Sequence, residues 1–178
     1  MLKYCRDKWY ENKDKLEEAI RNSDDLNFCN YKTLVEMIVE YILNPSSDDN
    51  SIDEFDEDEI TVIDNGDYQG TQLFMIPRKT YQPSAGDYLL TYTYYGSCSG
   101  CDTLQGIQDW SDEKLTDQQV KDFMTLCKDL VCNIYNILLH RNIQNMELVY
   151  HFRLPYNPIQ NIHQNKLIHV CHYGQYKI

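Results

Sequence analysis

Apolar positions recur along this chain in two rhythms, and the switches between them lay out its elements. From about Tyr4 to Arg21, Cys5, Trp9, Leu16, Ala19 and Ile20 recur among many charges, predicting a helix with one modest apolar face. Asn22-Ser23-Asp24-Asp25 ends it. From about Tyr31 to Leu43, Leu34, Val35, Ile38, Val39 and Ile42 fall on one stripe of a second helix. Pro45 stops that helix, because it has no N–H to continue the ladder.

The rhythm then shortens. Ile60-Thr61-Val62-Ile63 reads as a short strand, and Asn65-Gly66 as a tight turn with positive backbone angles. Thr71 to Ile76 reads as the returning strand, ended by Pro77. From Tyr88 to Tyr95, Leu90, Tyr92 and Tyr94 alternate with Leu89, Thr91 and Thr93, the pattern of a strand with one buried and one aromatic face. Thr116-Asp117-Gln118-Gln119 has the spacing of a capping box. It opens the longest periodic element, through Val120, Phe123, Cys127, Leu130, Val131, Ile134, Ile137 and Leu138, the core helix. Met146 to Phe152 reads as a fourth strand, and Leu167 to Cys171 as a short one in the tail. Helices and strands come in runs and do not alternate. The expected class is therefore α+β: a small, mostly antiparallel sheet of about four strands packed against about four helices.

A length of 178 residues with 42% hydrophobic composition fits one domain over 1–178. A flexible acidic loop is expected at about 45–59 and a tail at about 158–178 that is rich in Asn, Gln and His. No apolar run approaches the roughly 18–20 residues a bilayer span needs. The N-terminal residues show no export signal, so the expected location is cytoplasmic. The seven cysteines, at Cys5, Cys29, Cys98, Cys101, Cys127, Cys132 and Cys171, should then be free thiols in a reducing compartment, most of them small buried apolar residues.

Charge changes the picture more than composition does. The net charge is −12, and Asp48, Asp49, Asp53, Glu54, Asp56, Glu57, Asp58 and Glu59 supply most of it with no base among them. Repulsion between these carboxylates predicts an extended, mobile loop. Affinity for nucleic acid comes from Lys and Arg displacing counterions, so direct DNA or RNA binding is disfavoured and a basic protein surface becomes the expected partner. The acids lack the ordered spacing and central glycine of a calcium loop.

One stretch has the residues for chemistry: Gly96-Ser97-Cys98-Ser99-Gly100-Cys101-Asp102-Thr103-Leu104-Gln105, a Cys-x-x-Cys where a strand gives way to a helix. Three readings compete for it. In one, Cys98 and Cys101 are half of a tetrahedral zinc site, with His169, Cys171 and His172, or Cys127 and Cys132, as the nearest candidates for the other half. In another they are a dithiol switch, helped by the dipole of the following helix. In the third, which the sequence favours, they pack at the corner as inert buried thiols, with Asp102 or Thr103 capping the helix. The five histidines form no His-Glu-x-x-His pattern or obvious triad, and Asp64 to Gly70 lacks the lysine of a phosphate loop. No motif fixes a reaction, so catalytic residues and a cofactor other than zinc are not expected.

The run Asp87-Tyr88-Leu89-Leu90-Thr91-Tyr92, continuing into Tyr95-Gly96-Ser97-Cys98-Ser99-Gly100-Cys101-Asp102-Thr103-Leu104-Gln105, resembles a family of uncharacterised proteins encoded by phages and prophages of low-GC Gram-positive bacteria. Gly66 to Thr71 and Tyr81 to Ser84 resemble it too, so the likeness spans about 60–135. It implies a setting and no activity: a phage accessory protein inside a bacterial cell. In that setting the charge suggests an inhibitor that mimics nucleic acid. Asp53, Glu54, Asp56, Glu57, Asp58 and Glu59 would occupy a basic groove on a host nuclease or defence protein, such as a CRISPR effector. The alternative is a small zinc-binding or dithiol protein centred on Cys98 and Cys101.

Overall fold

The computed structural model describes residues 2–44 and 54–136, all within the unit Met1–Gln144. Helix α1 (Lys3–Asn22) buries Cys5, Trp9, Asn12, Leu16 and Ile20, one residue per turn along a single stripe. Helix α2 (Tyr31–Ile38) starts at Asn30, whose side chain accepts the Thr33 N–H at 3.1 Å. The stripe of Leu34, Val35 and Ile38 continues through Val39, Ile42 and Leu43, but the last turn widens into a π-turn over Val39–Leu43. Asn12 meets that turn: its buried amide donates to the Ile42 carbonyl at 3.3 Å and to the Lys8 carbonyl at 3.1 Å. A buried polar side chain on the apolar stripe of α1 is thereby satisfied.

Strands β1 (Thr61–Asp64), β2 (Gly70–Pro77), β3 (Tyr88–Tyr95) and β4 (Tyr135–Asn136) form one antiparallel sheet in the order β1-β2-β3-β4. Thr61 pairs with Met75, Phe74 with Thr91, and Leu89 with Asn136. Helices α3 (Thr103–Ile107) and α4 (Asp117–Cys132) follow β3. Helix α4 opens with the reciprocal Thr116–Gln119 capping box that the spacing predicts. It packs against α1, α2, α3 and β3, and its Phe123, Leu130 and Val131 join Leu16, Ile20, Leu34, Val35, Phe74 and Ile76 in one core. Among the described residues the fold is α+β, with one four-stranded antiparallel sheet and four α-helices.

Three expectations are corrected. The β1–β2 connection is a five-residue loop, and no glycine in it has a positive φ. Gly66 is required for another reason: a Cβ there would sit 2.2 Å from the Gln69 carbonyl oxygen. In β3, Leu89, Leu90 and Thr91 are all buried, so its first half is covered on both faces, and Thr91 donates to the Leu130 carbonyl of α4 at 2.7 Å. The long helix stops at Cys132, short of Ile134. The Asn133 amide donates to the Tyr92 carbonyl, and the next residues pair with β3 as β4. The strand expected at 146–152 and the tail lie outside the described residues. Among the described residues no helix is long and apolar enough to cross a membrane.

Candidate functional site

The corner between β3 and α3 is built around a buried carboxylate. Asp102 is the N-cap of α3, and its Oδ1 accepts the Gln105 N–H at 2.9 Å and the Tyr31 hydroxyl at 3.2 Å. Its Oδ2 accepts the Gly96 N–H at 3.0 Å. The Tyr31 oxygen in turn accepts the Leu104 N–H at 3.2 Å. One side chain thus fastens the end of β3, the start of α3 and the first turn of α2. Three donors compensate the cost of burying it. Desolvation raises the Tyr31 phenol well above its usual range, so it stays a donor.

Upon this base residues 97–101 form a tight outward turn, closed by the N–H groups of Cys101 and Asp102, which both donate to the Cys98 carbonyl at 2.9 Å. The expectation of buried thiols is overturned here, because Cys98 and Cys101 are both exposed. Their sulfurs lie 2.9 Å apart as free thiols. The Cys101 sulfur accepts the Cys98 N–H at 3.2 Å, and the Ser97 hydroxyl stands 3.9 Å away. The Cys98 thiol is the chief cause holding the Cys101 thiol below its ordinary pKa, and the Ser97 hydroxyl and the backbone N–H groups of Cys98 and Ser97 act in the same direction. Gly96 makes the turn possible. A Cβ there would stand 2.4 Å from the Cys101 carbonyl oxygen and 2.6 Å from its sulfur.

The other thiols differ. Cys5 and Cys127 are buried, and desolvation pushes Cys5 up to about 11 and raises Cys127 further. Burial likewise pushes the half-buried Cys29 up to about 12. As for zinc, two thiolates on one ion at the usual Zn–S distance of about 2.3 Å stand roughly 3.8 Å apart, wider than this pair. Among the described residues no group of three or more His, Cys, Asp or Glu side chains is arranged to hold a metal. His169, Cys171 and His172 lie outside the described residues, and so does Asp53.

Of the acidic loop expected at about 45–59, residues 45–53 lie outside the described residues, and the part from Glu54 to Glu59 is held in place. Phe55 is 1% exposed, inside the core. Its N–H donates to the Asn44 side chain at 3.0 Å, and the Asn44 amide donates back to the Phe55 carbonyl at 2.6 Å. Phe55 also bridges Arg78, whose guanidinium lies 4.8 Å from the centre of its ring. The Asp56 N–H donates to the Pro77 carbonyl, and the Lys79 N–H to the Glu54 carbonyl, each at 2.8 Å. The Lys79 ammonium reaches Glu57 at 3.3 Å and Glu54 at 3.9 Å. Asp56 accepts the Asp58 N–H at 3.2 Å, leaving the Asp58 and Glu59 side chains exposed at the end of a fixed segment.

A second acid-bordered surface carries no motif. Phe28 is 50% exposed and Trp110 57% exposed, with ring centres 6.2 Å apart, edge to face. Trp110 has a φ of 58°, a left-handed conformation that costs a bulky residue energy. Buried Asn27 clamps the two loops together, donating to the Ser111 carbonyl at 3.1 Å and the Glu113 carbonyl at 3.3 Å. Exposed Asp24, Asp25, Asp109, Asp112 and Glu113 lie in the same two loops. In sequence these aromatics are isolated, and no periodicity marks them as a pair. No protein-family model, curated protein or solved structure matches this chain.

Proposed function

We propose that this chain acts by protein–protein contact, presenting fixed carboxylates to a basic surface on another protein. The anchoring of Phe55 carries this reading. Burying that ring fixes the backbone of the acidic stretch, so Asp58 and Glu59 meet a partner without first paying to order a loose loop. The Phe28–Trp110 pair fits the same kind of partner, because exposed aromatic faces among carboxylates favour Arg and Lys side chains. In the phage setting that the motif implies, the partner is a host nuclease or defence effector, such as a CRISPR effector, whose nucleic-acid groove the carboxylates occupy.

Charge complementarity of this sort acts mainly on the rate of encounter and on specificity. The test is association with the candidate effector over a range of ionic strength, for the native chain and for a variant with Asp56→Asn, Asp58→Asn and Glu59→Gln. The native on-rate should fall steeply with salt, and the variant should be slower with a flatter salt dependence. Equal rates and equal slopes would rule the reading out.

A further inference from the structure

Protein–protein contact through the carboxylates leaves the Cys98–Cys101 turn unused, and the chemistry open to that turn is independent of it. Exposure separates this pair from Cys5 and Cys127, which solvent does not reach. Proximity makes it a pair, since sulfurs 2.9 Å apart on one closed turn need only a small torsional adjustment to bond. Its support is dedicated. Gly96 leaves the space that the Cys101 sulfur fills, and Asp102, capped on three sides by donors, fixes both ends of the turn.

The two sulfurs are not equivalent. Cys101 accepts the Cys98 N–H and lies beside the Ser97 hydroxyl, so negative charge is better stabilised there. The five residues of α3 are too few to credit its dipole with this. The local donors on the turn are sufficient cause.

We propose that Cys98 and Cys101 form a reversible dithiol–disulfide pair that exchanges with low-molecular-weight disulfides, with Cys101 as the attacking thiol. The Cys101 thiolate attacks one sulfur of a disulfide RS–SR. An S–S bond forms between Cys101 and RS while the original S–S bond breaks, and the second RS leaves as thiolate. The Cys98 thiol then gives up its proton to solvent and attacks the Cys101 sulfur. The Cys98–Cys101 bond forms and the remaining RS leaves as thiolate. Two protein thiols have been oxidised and one disulfide reduced by the same two electrons, and the departing thiolates take up protons according to their own pKa values.

The test uses the full chain, reduced and freed of reductant, with oxidised glutathione as the probe. The native protein should lose the mass of two hydrogens, and peptide mapping should place the new bond between Cys98 and Cys101. Cys98→Ser should stop at a glutathione adduct on Cys101. Cys101→Ser should react about tenfold more slowly, because the Cys98 N–H is directed at the sulfur of residue 101 and not at its own. All three should keep the native circular dichroism, since both side chains are exposed. An adduct distributed over Cys29 or Cys132 in preference to Cys101 would overturn the proposal. So would failure of the native pair to close in an oxidising glutathione buffer. Stoichiometric zinc in the purified native chain, lost in the double serine variant, would overturn it in favour of a metal site.

Discussion

At the scale of single residues, Asp102 is the position on which the corner depends. Removing its carboxylate strands the Gly96 and Gln105 N–H groups and breaks the Tyr31 link between α2 and α3. Asp102→Ala should destabilise the fold by about 2–4 kcal/mol, from a lost cap and unmet buried donors, and Asp102→Asn by less, because it keeps an acceptor. Urea unfolding of the two variants measures the difference. The second residue-scale prediction concerns pH. A thiol whose pKa is depressed keeps its thiolate as pH falls, losing it only on passing its own lowered value. Iodoacetamide should therefore modify Cys101 with a pH midpoint below that of an ordinary free cysteine, while Cys29, pushed up to about 12, stays inert across that range. The cap is legible in the sequence, because Asp at the start of a short helix has a local mechanism. The exposure of the thiols is not. It depends on Gly96 and Cys101 closing upon each other across five positions, which no pattern of hydrophobicity encodes.

Elements are legible where their reason is local and deceptive where a neighbour intervenes. Stripes of three- and four-residue spacing locate α1, α2 and the start of α4, since each helix buries the face its own sequence marks out. The end of α4 deceives because Ile134 continues the helical period, while β3 offers an edge that Tyr135 and Asn136 pair with instead. The acidic stretch deceives for a similar reason. Its single aromatic, Phe55, is the available signal, an apolar ring among carboxylates with nothing but burial to recommend it. That ring carries the anchoring, so Phe55→Ala should cost about 3–5 kcal/mol, the range for deleting a buried phenyl group. The same change should expose the backbone at 54–59 to proteolysis well before the rest of the domain unfolds. Limited digestion followed by mass spectrometry would show it. Cleavage no earlier than in the native chain would mean that the Asn44 and Lys79 contacts hold the segment by themselves.

For the molecule as a whole, the net charge of −12 sets two electrostatic effects against each other. Crowded carboxylates repel, which favours expansion, and dissolved salt screens that repulsion. Salt also screens the ion pairs, Lys3–Asp7, Arg21–Glu17, Arg21–Asp117 and Lys32–Glu36 among them, which favour the folded state. These four lie on the surface, where such a pair contributes no more than about 1 kcal/mol, often nothing measurable. Repulsion among the excess acids involves many more pairs of groups and reaches further at low ionic strength, where the Debye length is about 30 Å at 0.01 M and about 8 Å at physiological salt. Screening the repulsion should win. The urea midpoint should therefore rise as sodium chloride increases from low to physiological concentration, and most of the rise should occur in the dilute range. A midpoint that falls with salt would mean that the ion pairs, and not the surplus of acid, dominate the surface. A basic partner would relieve the same repulsion at its source, so the salt that stabilises the free protein should weaken the complex.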